Sequence, residues 1–140
     1  METIVLLSCV SKKKAFRCKA RDLYESTLFT LALKYAEKIN PDRIFILSAL
    51  YGVLELEDII EPYDVTLNNM SEKEKVKWSD KVISQLTDKG INLNCNRFII
   101  LAGNNYRKHL VGFMKRVEIP LKGLRIGQQL SYLKKEVDNE

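Results

Sequence analysis

The chain has 140 residues, 46% of them apolar and 29% charged, with a formal net charge of +5. That length and balance predict one folded domain over residues 1–140 with a core of its own, and they argue against a disordered or fibrous chain. No apolar run approaches the ~20 residues of a membrane helix, and three cysteines at unrelated spacings (Cys9, Cys18, Cys95) suit reduced thiols better than a disulfide framework, so a cytoplasmic location without membrane contact is expected.

The first predicted element is "TIVLLS" (3–8), one of three continuous apolar runs with "RIFILSA" (43–49) and "RFIILAG" (97–103). Short runs of this kind, each ending in small or polar residues, read as strands buried on both faces of a parallel sheet. The first is followed by "SCVSKKKAFRCKARDLYES", in which Lys12, Lys13, Lys14, Arg17, Lys19 and Arg21 have no acid among them. So one-sided a loop points to an anion. Lys12, Lys13 and Lys14 can reach phosphate oxygens, and Ser8 and Ser11 add hydroxyl donors. There is no GxxxxGK[ST] pattern, which argues against a nucleoside-triphosphate cradle. Cys9, beside these lysines, is a candidate nucleophile, although a small buried hydrophobe would serve as well there.

A helix follows, with Leu28, Leu31, Ala32, Tyr35, Ala36 and Ile39 on one face and Asn40-Pro41 as its stop. The second strand ends at Ser48 and opens into the acidic excursion "SALYGVLELEDIIEPYDVTLN". Between 53 and 69 it holds Glu55, Glu57, Asp58, Glu61 and Asp64 without one Lys or Arg. A carboxylate here (Asp58, Glu61 or Asp64) can orient a water, accept a proton, or hydrogen-bond a base or ribose. Tyr51 and Tyr63 can stack on a nucleobase, typically worth about 1–3 kcal/mol per base. The same residues can also pack the loop on itself. Gly52 marks a turn or a close approach to ligand.

Ser71 with Glu74 forms a capping-box start for a helix carrying Trp78, Val82, Ile83 and Leu86, which stops at Gly90. Beyond the third strand, Asn104 or Asn105 is expected to cap a helix whose buried face is Tyr106, Leu110, Phe113, Met114 and Val117. Gly103, Asn104, Asn105 and Arg107 join the ligand-binding candidates, and His109 reads as either a mobile acid/base or a surface residue. A fourth strand is expected near "KRVEIPL". The last helix carries Ile126, Leu130, Leu133 and Val137, and Gln128 with Arg125 near its start can read base edges. One histidine and three cysteines match no zinc spacing, so neither a metal nor a cofactor is expected.

The predicted order, β-α-β-α-β-α-α, gives a three-layer α/β fold with a small, mainly parallel sheet flanked by helices. In such sheets ligands bind beyond the carboxyl ends of the strands. Those ends are Ser8, Ser48 and Gly103, so the basic loop, the acidic loop and "AGNNYRKH" are expected on one edge.

Taken together, "SC-x-SKKK", "RDLYESTLF", "ILSALYGVLELEDIIEPYDVTLN", "AGNNY" and "PLKGLRIGQQLSYLKK" resemble a bacterial and phage family of short proteins of unknown function. The likeness spans nearly the whole chain and is most specific from Leu47 to Leu67. That family is similar in turn to the glycosylase-like domain of archaeosine synthase, whose Pro-Cys-x3-Lys-Pro-Tyr pattern is matched in spacing by Cys9 and Lys13. Ser8 stands in place of the proline, and Lys14 and Ala15 in place of the Pro-Tyr. More broadly, the resemblance implies a uracil-DNA glycosylase-like fold that holds a base at strand ends, with Cys9 and Lys13 added to Asp58, Glu61 and Asp64 as catalytic candidates.

The expected function is an enzyme acting on a nucleobase, nucleoside or nucleic acid, by cleaving an N-glycosidic bond or modifying the base. Two alternatives stand beside it. One is a non-catalytic nucleic-acid-binding protein in stress response or phage defence. The other is a small-molecule nucleotide-binding or ribosyl-transferring protein.

Overall fold

A computed structural model describes residues 1–8 and 12–139. Its strands are β1 (Thr3–Ser8), β2 (Cys18–Lys19), β3 (Arg43–Ser48), β4 (Gly52–Glu55), β5 (Ile59–Ile60), β6 (Arg97–Leu101) and β7 (Arg116–Glu118). The helices are α1 (Ala20–Leu23), α2 (Thr27–Ile39), α3 (Glu72–Asp88), α4 (Asn104–Arg107) and α5 (Ile126–Asp138).

Five strands form one sheet in the order β4-β3-β1-β6-β7. β1 is central, parallel to β3 on one side and to β6 on the other; β7 continues the parallel run, and β4 alone is antiparallel. The apolar runs have the composition they do because both sheet faces are covered. Along β1, Ile4 and Leu6 belong to one core with α3, while Val5 and Leu7 belong to the other with α1, α2 and α5. All four are fully buried. The protein is thus α/β, a mostly parallel five-stranded sheet flanked by helices.

Local signals account for most helix ends. Ser26 caps α2 by accepting from the Phe29 N–H, and Asn40 ends it in the left-handed region at φ 56°. Ser71 and Glu74 close the expected capping box on α3. The buried face of α2 is rotated from the predicted one: Phe29 and Leu33 join Ala32 and Ala36 inside, while Leu28, Leu31, Tyr35 and Ile39 are only partly buried. The reason is that α2 meets two neighbours, the sheet and α5, where Tyr35 and Tyr132 stand edge to face with ring centroids 6.1 Å apart. Burial, and then the bond to Tyr132, push the Tyr35 phenol well above its ordinary pKa.

Two expectations are corrected. The long helix after the third strand does not form: α4 covers four residues, with Gly103 rather than Asn104 or Asn105 as its N-cap. A 3-10 turn at Val111–Phe113 follows, and Val117 lies in β7. Tyr106, Leu110 and Met114 are nonetheless buried in the α3-side core, whereas Phe113 of the predicted face is exposed and Val117 only half-buried, because the chain leaves the helical path after Arg107. The acidic excursion is likewise no open loop. It contains the edge strand β4 and then β5, which pairs antiparallel with β2 of the basic segment.

Among the described residues no helix is long and apolar enough to cross a membrane.

Candidate functional site

The chain builds outward from β1 to β3 and β4, then returns to β6 on β1's other flank. The carboxyl ends of β1 and β6 therefore flank the point where strand order reverses, the customary place for a ligand crevice in an open α/β sheet. A cavity of about 600 Å³ lies there. Ser8 at the end of β1 and Gly103, Asn104 and Asn105 after β6 form its floor, and the first turns of α2 and α5 form its sides. Leu28, Phe29, Tyr106, Ile126 and Leu130 supply apolar surface, and Ser26, Asn68 and Gln129 add polar groups. A smaller cavity of about 240 Å³ adjoins it, sharing Ser8, Leu28, Gly103, Asn104 and Gln129 and reaching Arg107 and Gly123. The larger volume is of the size that takes a small molecule.

The lysine loop runs beside this cavity. Lys12–Lys14 lie antiparallel to Leu23–Glu25, with the Lys14 N–H donating to the Leu23 carbonyl at 2.9 Å and the Glu25 N–H to the Lys12 carbonyl at 2.8 Å. Glu25 immediately precedes Ser26 and Thr27, both on the cavity wall. Lys13 places its ammonium 4.5 Å from the ring centre of Tyr63 and 6.0 Å from that of Tyr24, and the two phenol oxygens are 2.7 Å apart. Lys13 thus meets the "EPYD" turn through Tyr63, and neither residue lines either cavity. Cys9 and Ser11 lie outside the described residues.

Half of the basic segment has a plain structural partner. Lys19 pairs with Glu57 at 3.0 Å, Arg21 with Glu37 at 3.1 Å and with Glu57 at 3.6 Å, and Arg17 approaches Glu61 at 3.9 Å. The acidic loop therefore answers the cations that follow residue 16. Among the described residues, no carboxylate pairs with Lys12, Lys13 or Lys14.

Several candidates are engaged in holding the fold. Ser48 is fully buried; its Oγ accepts from the N–H groups of Leu50 and Tyr51, and its carbonyl accepts from Trp78 Nε1 at 2.9 Å. Gly52 has φ +81°, and a Cβ there would run into Gln85. That amide accepts from the Val53 N–H and donates to the Tyr51 carbonyl, so Gly52 serves a turn packed on α3. Asp58 accepts from the Glu55 N–H at 2.9 Å and shapes the β4–β5 turn. Tyr51 donates to the Glu61 carbonyl and stands edge-on to Tyr63 at 5.6 Å. Arg107 donates to the Ala102 carbonyl, and Gln128, exposed, accepts from the Arg125 N–H at the start of α5. Asp64 is exposed. Of the sequence candidates, then, Ser8, Gly103, Asn104 and Asn105 line the larger cavity and Arg107 the smaller, while no carboxylate lines either among the described residues.

Nothing in the sequence singles out Phe29, Asn68, Tyr106 or Gln129 as site residues. Asn68 stands at the end of the acidic excursion, in "TLNNM", and its amide is the one available signal. Behind it runs a polar chain. Asn105 Nδ2 donates to Asn68 Oδ1 at 2.7 Å, and Lys75 Nζ donates to Asn105 Oδ1 at 3.3 Å and to Glu72 at 3.2 Å. Glu72 also meets Lys108 at 2.6 Å and His109 at 3.0 Å. Hydrogen bonds from Lys108, His109 and Lys75, in that order of weight, hold its carboxyl down at about 2. His109 is thereby tied to Glu72 at the far end of the polar chain.

No curated protein and no solved structure matches the sequence. One family model does, described as "Family of unknown function (DUF6884)", and it aligns with residues 4–135. With nearly all of β1 through α5 inside that match, the chain belongs to this family.

Proposed function

We propose that the protein binds a nucleobase-bearing ligand, with the base in the cavity between the ends of β1 and β6 and phosphate on Lys12, Lys13 and Lys14, and that it hydrolyses the ligand's N-glycosidic bond. The observation that carries the reading is the cavity itself. Its apolar surface from Phe29, Tyr106, Ile126 and Leu130 suits the faces of a planar heterocycle, and the amides of Asn68, Asn104 and Gln129 suit its edge. The backbone of the lysine loop is bonded to the chain just before Ser26, and among the described residues Lys12, Lys13 and Lys14 have no carboxylate partner, which leaves them available to phosphate. The likeness to glycosylase-like domains noted in the sequence points to the same chemistry. In the hydrolytic step a water oxygen bonds to C1′ as the C1′–N bond breaks, the base leaves with the electron pair and gains a proton, and a carboxylate takes the proton lost by water. We assign that role to Asp64, an exposed carboxylate next in sequence to the Tyr63 that Lys13 faces, ahead of the likewise exposed Glu61 and Asp58, which the fold engages with Arg17 and the Glu55 N–H.

Incubation with DNA, tRNA and nucleosides, followed by mass spectrometry for free base, tests this reading. Released base that disappears in Asp64→Asn supports it; no release from any substrate class removes the hydrolytic step. A second reading, binding without turnover, is favoured by the absence of any carboxylate lining the cavity among the described residues. It predicts retained affinity with no product.

A further inference from the structure

The polar chain behind the cavity fixes which way its amides point, and this deepens the base-binding reading on which it rests. Lys75 is only 8% exposed and lies in the core-facing stripe of α3, an unusual place for a cation. An ammonium donates hydrogen bonds and accepts none. The Asn105 atom 3.3 Å from it is therefore the carbonyl Oδ1, and the opposite atom, Nδ2, must donate. Its partner on Asn68, 2.7 Å away, must accept and so is Oδ1. Amide oxygen and nitrogen are told apart here by chemistry, because the lysine decides the order. The consequence reaches the cavity: Asn68 Nδ2, which has no partner among the described residues, is left to offer its hydrogens. Gln129 carries the opposite polarity, since its Nε2 donates to the Leu124 carbonyl at 2.9 Å and leaves Oε1 as an acceptor.

We infer that Lys75 is a positioning residue that sets the cavity to read a lactam edge, a ring carbonyl facing Asn68 beside a ring N–H facing Gln129, over the reversed amino edge. Uracil and hypoxanthine carry the lactam pattern; cytosine and adenine place an amine where the carbonyl would be. An amine set against Asn68 Nδ2 puts donor against donor and forfeits the hydrogen bond that a ring carbonyl would make there, Asn68 itself being exposed.

Calorimetric titration of the full chain with uridine, cytidine, inosine and adenosine, and with short single strands bearing each base at the centre, tests the inference. The expected preference is about tenfold or more for the oxo member of each pair. Asn68→Asp, which replaces the donor with an acceptor, reverses that preference. Lys75→Met, with its thermal midpoint measured to show that it folds, brings the ratio near unity because the Asn105 amide is freed to turn over. A wild-type ratio near one, an Asn68→Asp variant that keeps the oxo preference, or a folded Lys75→Met variant that keeps it, each overturns the inference while base binding stands. Failure of every base and strand to bind removes the base-binding reading and the inference with it.

Discussion

Glu72 occupies the first position of α3 and answers three donors at once: Lys75, Lys108 and His109. Its carboxyl sits at about 2, below the ordinary 4.5. A carboxylate held lower in the folded chain than in the unfolded one stabilises the fold fully above the unfolded value, and the contribution is lost as pH falls towards the folded value. Glu72→Gln is therefore expected to lower the thermal midpoint near neutral pH, with the gap to wild type closing between about pH 4.5 and 2. A gap that stays constant across that range would show the carboxylate charge to be irrelevant. Gly52 offers a second residue-scale test. At φ +81° any side chain is strained, and a Cβ would also displace the Gln85 amide that joins β4 to α3. Gly52→Ala should cost about 1–3 kcal/mol in denaturant unfolding. The sequence showed that Gly52 was special but left open whether a ligand or a turn required it; only the position of Gln85, 33 residues on, separates the two.

Elements were legible wherever the signal was local. The capping box of α3, the Asn40 stop of α2 and the three buried runs are each written within a few residues, and each forms as read. The stretch from 104 to 117 misleads because its apolar spacing fits a helix, while the backbone forms a short helix, a 3-10 turn and the edge strand β7, and only Tyr106, Leu110 and Met114 of that spacing are buried. Periodicity reports which residues face a core, and more than one backbone path can satisfy it. Besides the Gln85 amide, α3 is docked on the sheet by a bond that periodicity does not show, from Trp78 Nε1 to the carbonyl of fully buried Ser48. Trp78→Phe keeps the apolar packing and removes that donor. The expected loss is about 1–3 kcal/mol, measured by chemical denaturation. Under the proposed function, base binding should weaken far less, since neither residue of this bond belongs to the amide chain.

At the scale of the molecule, the cations of the basic segment divide into two populations. Arg17, Lys19 and Arg21 face Glu61, Glu57 and Glu37, whereas Lys12, Lys13 and Lys14 lack carboxylate partners among the described residues. If strand phosphates sit on the lysine loop, replacing any of Lys12, Lys13 and Lys14 by Ala should reduce the slope of log affinity against log salt by about 0.7–0.9 for each phosphate no longer neutralised, and Lys19→Ala should barely change it. Equal effects at all four positions would contradict the division. The sequence by itself determined the α/β class and the central parallel strands, because burial on two faces and capping are recorded in neighbouring residues. The structure sets Lys13 over Tyr63 of the "EPYD" turn, but neither residue lines the cavity. What only the tertiary structure decided is which side chains line the cavity: Asn68, Asn105, Phe29 and Gln129 come from four separate segments, and the orientation of the first two rests on a buried lysine in a third helix. No local pattern encodes that arrangement, since a hydrogen bond between residues 37 apart exists only once the chain has closed around its sheet.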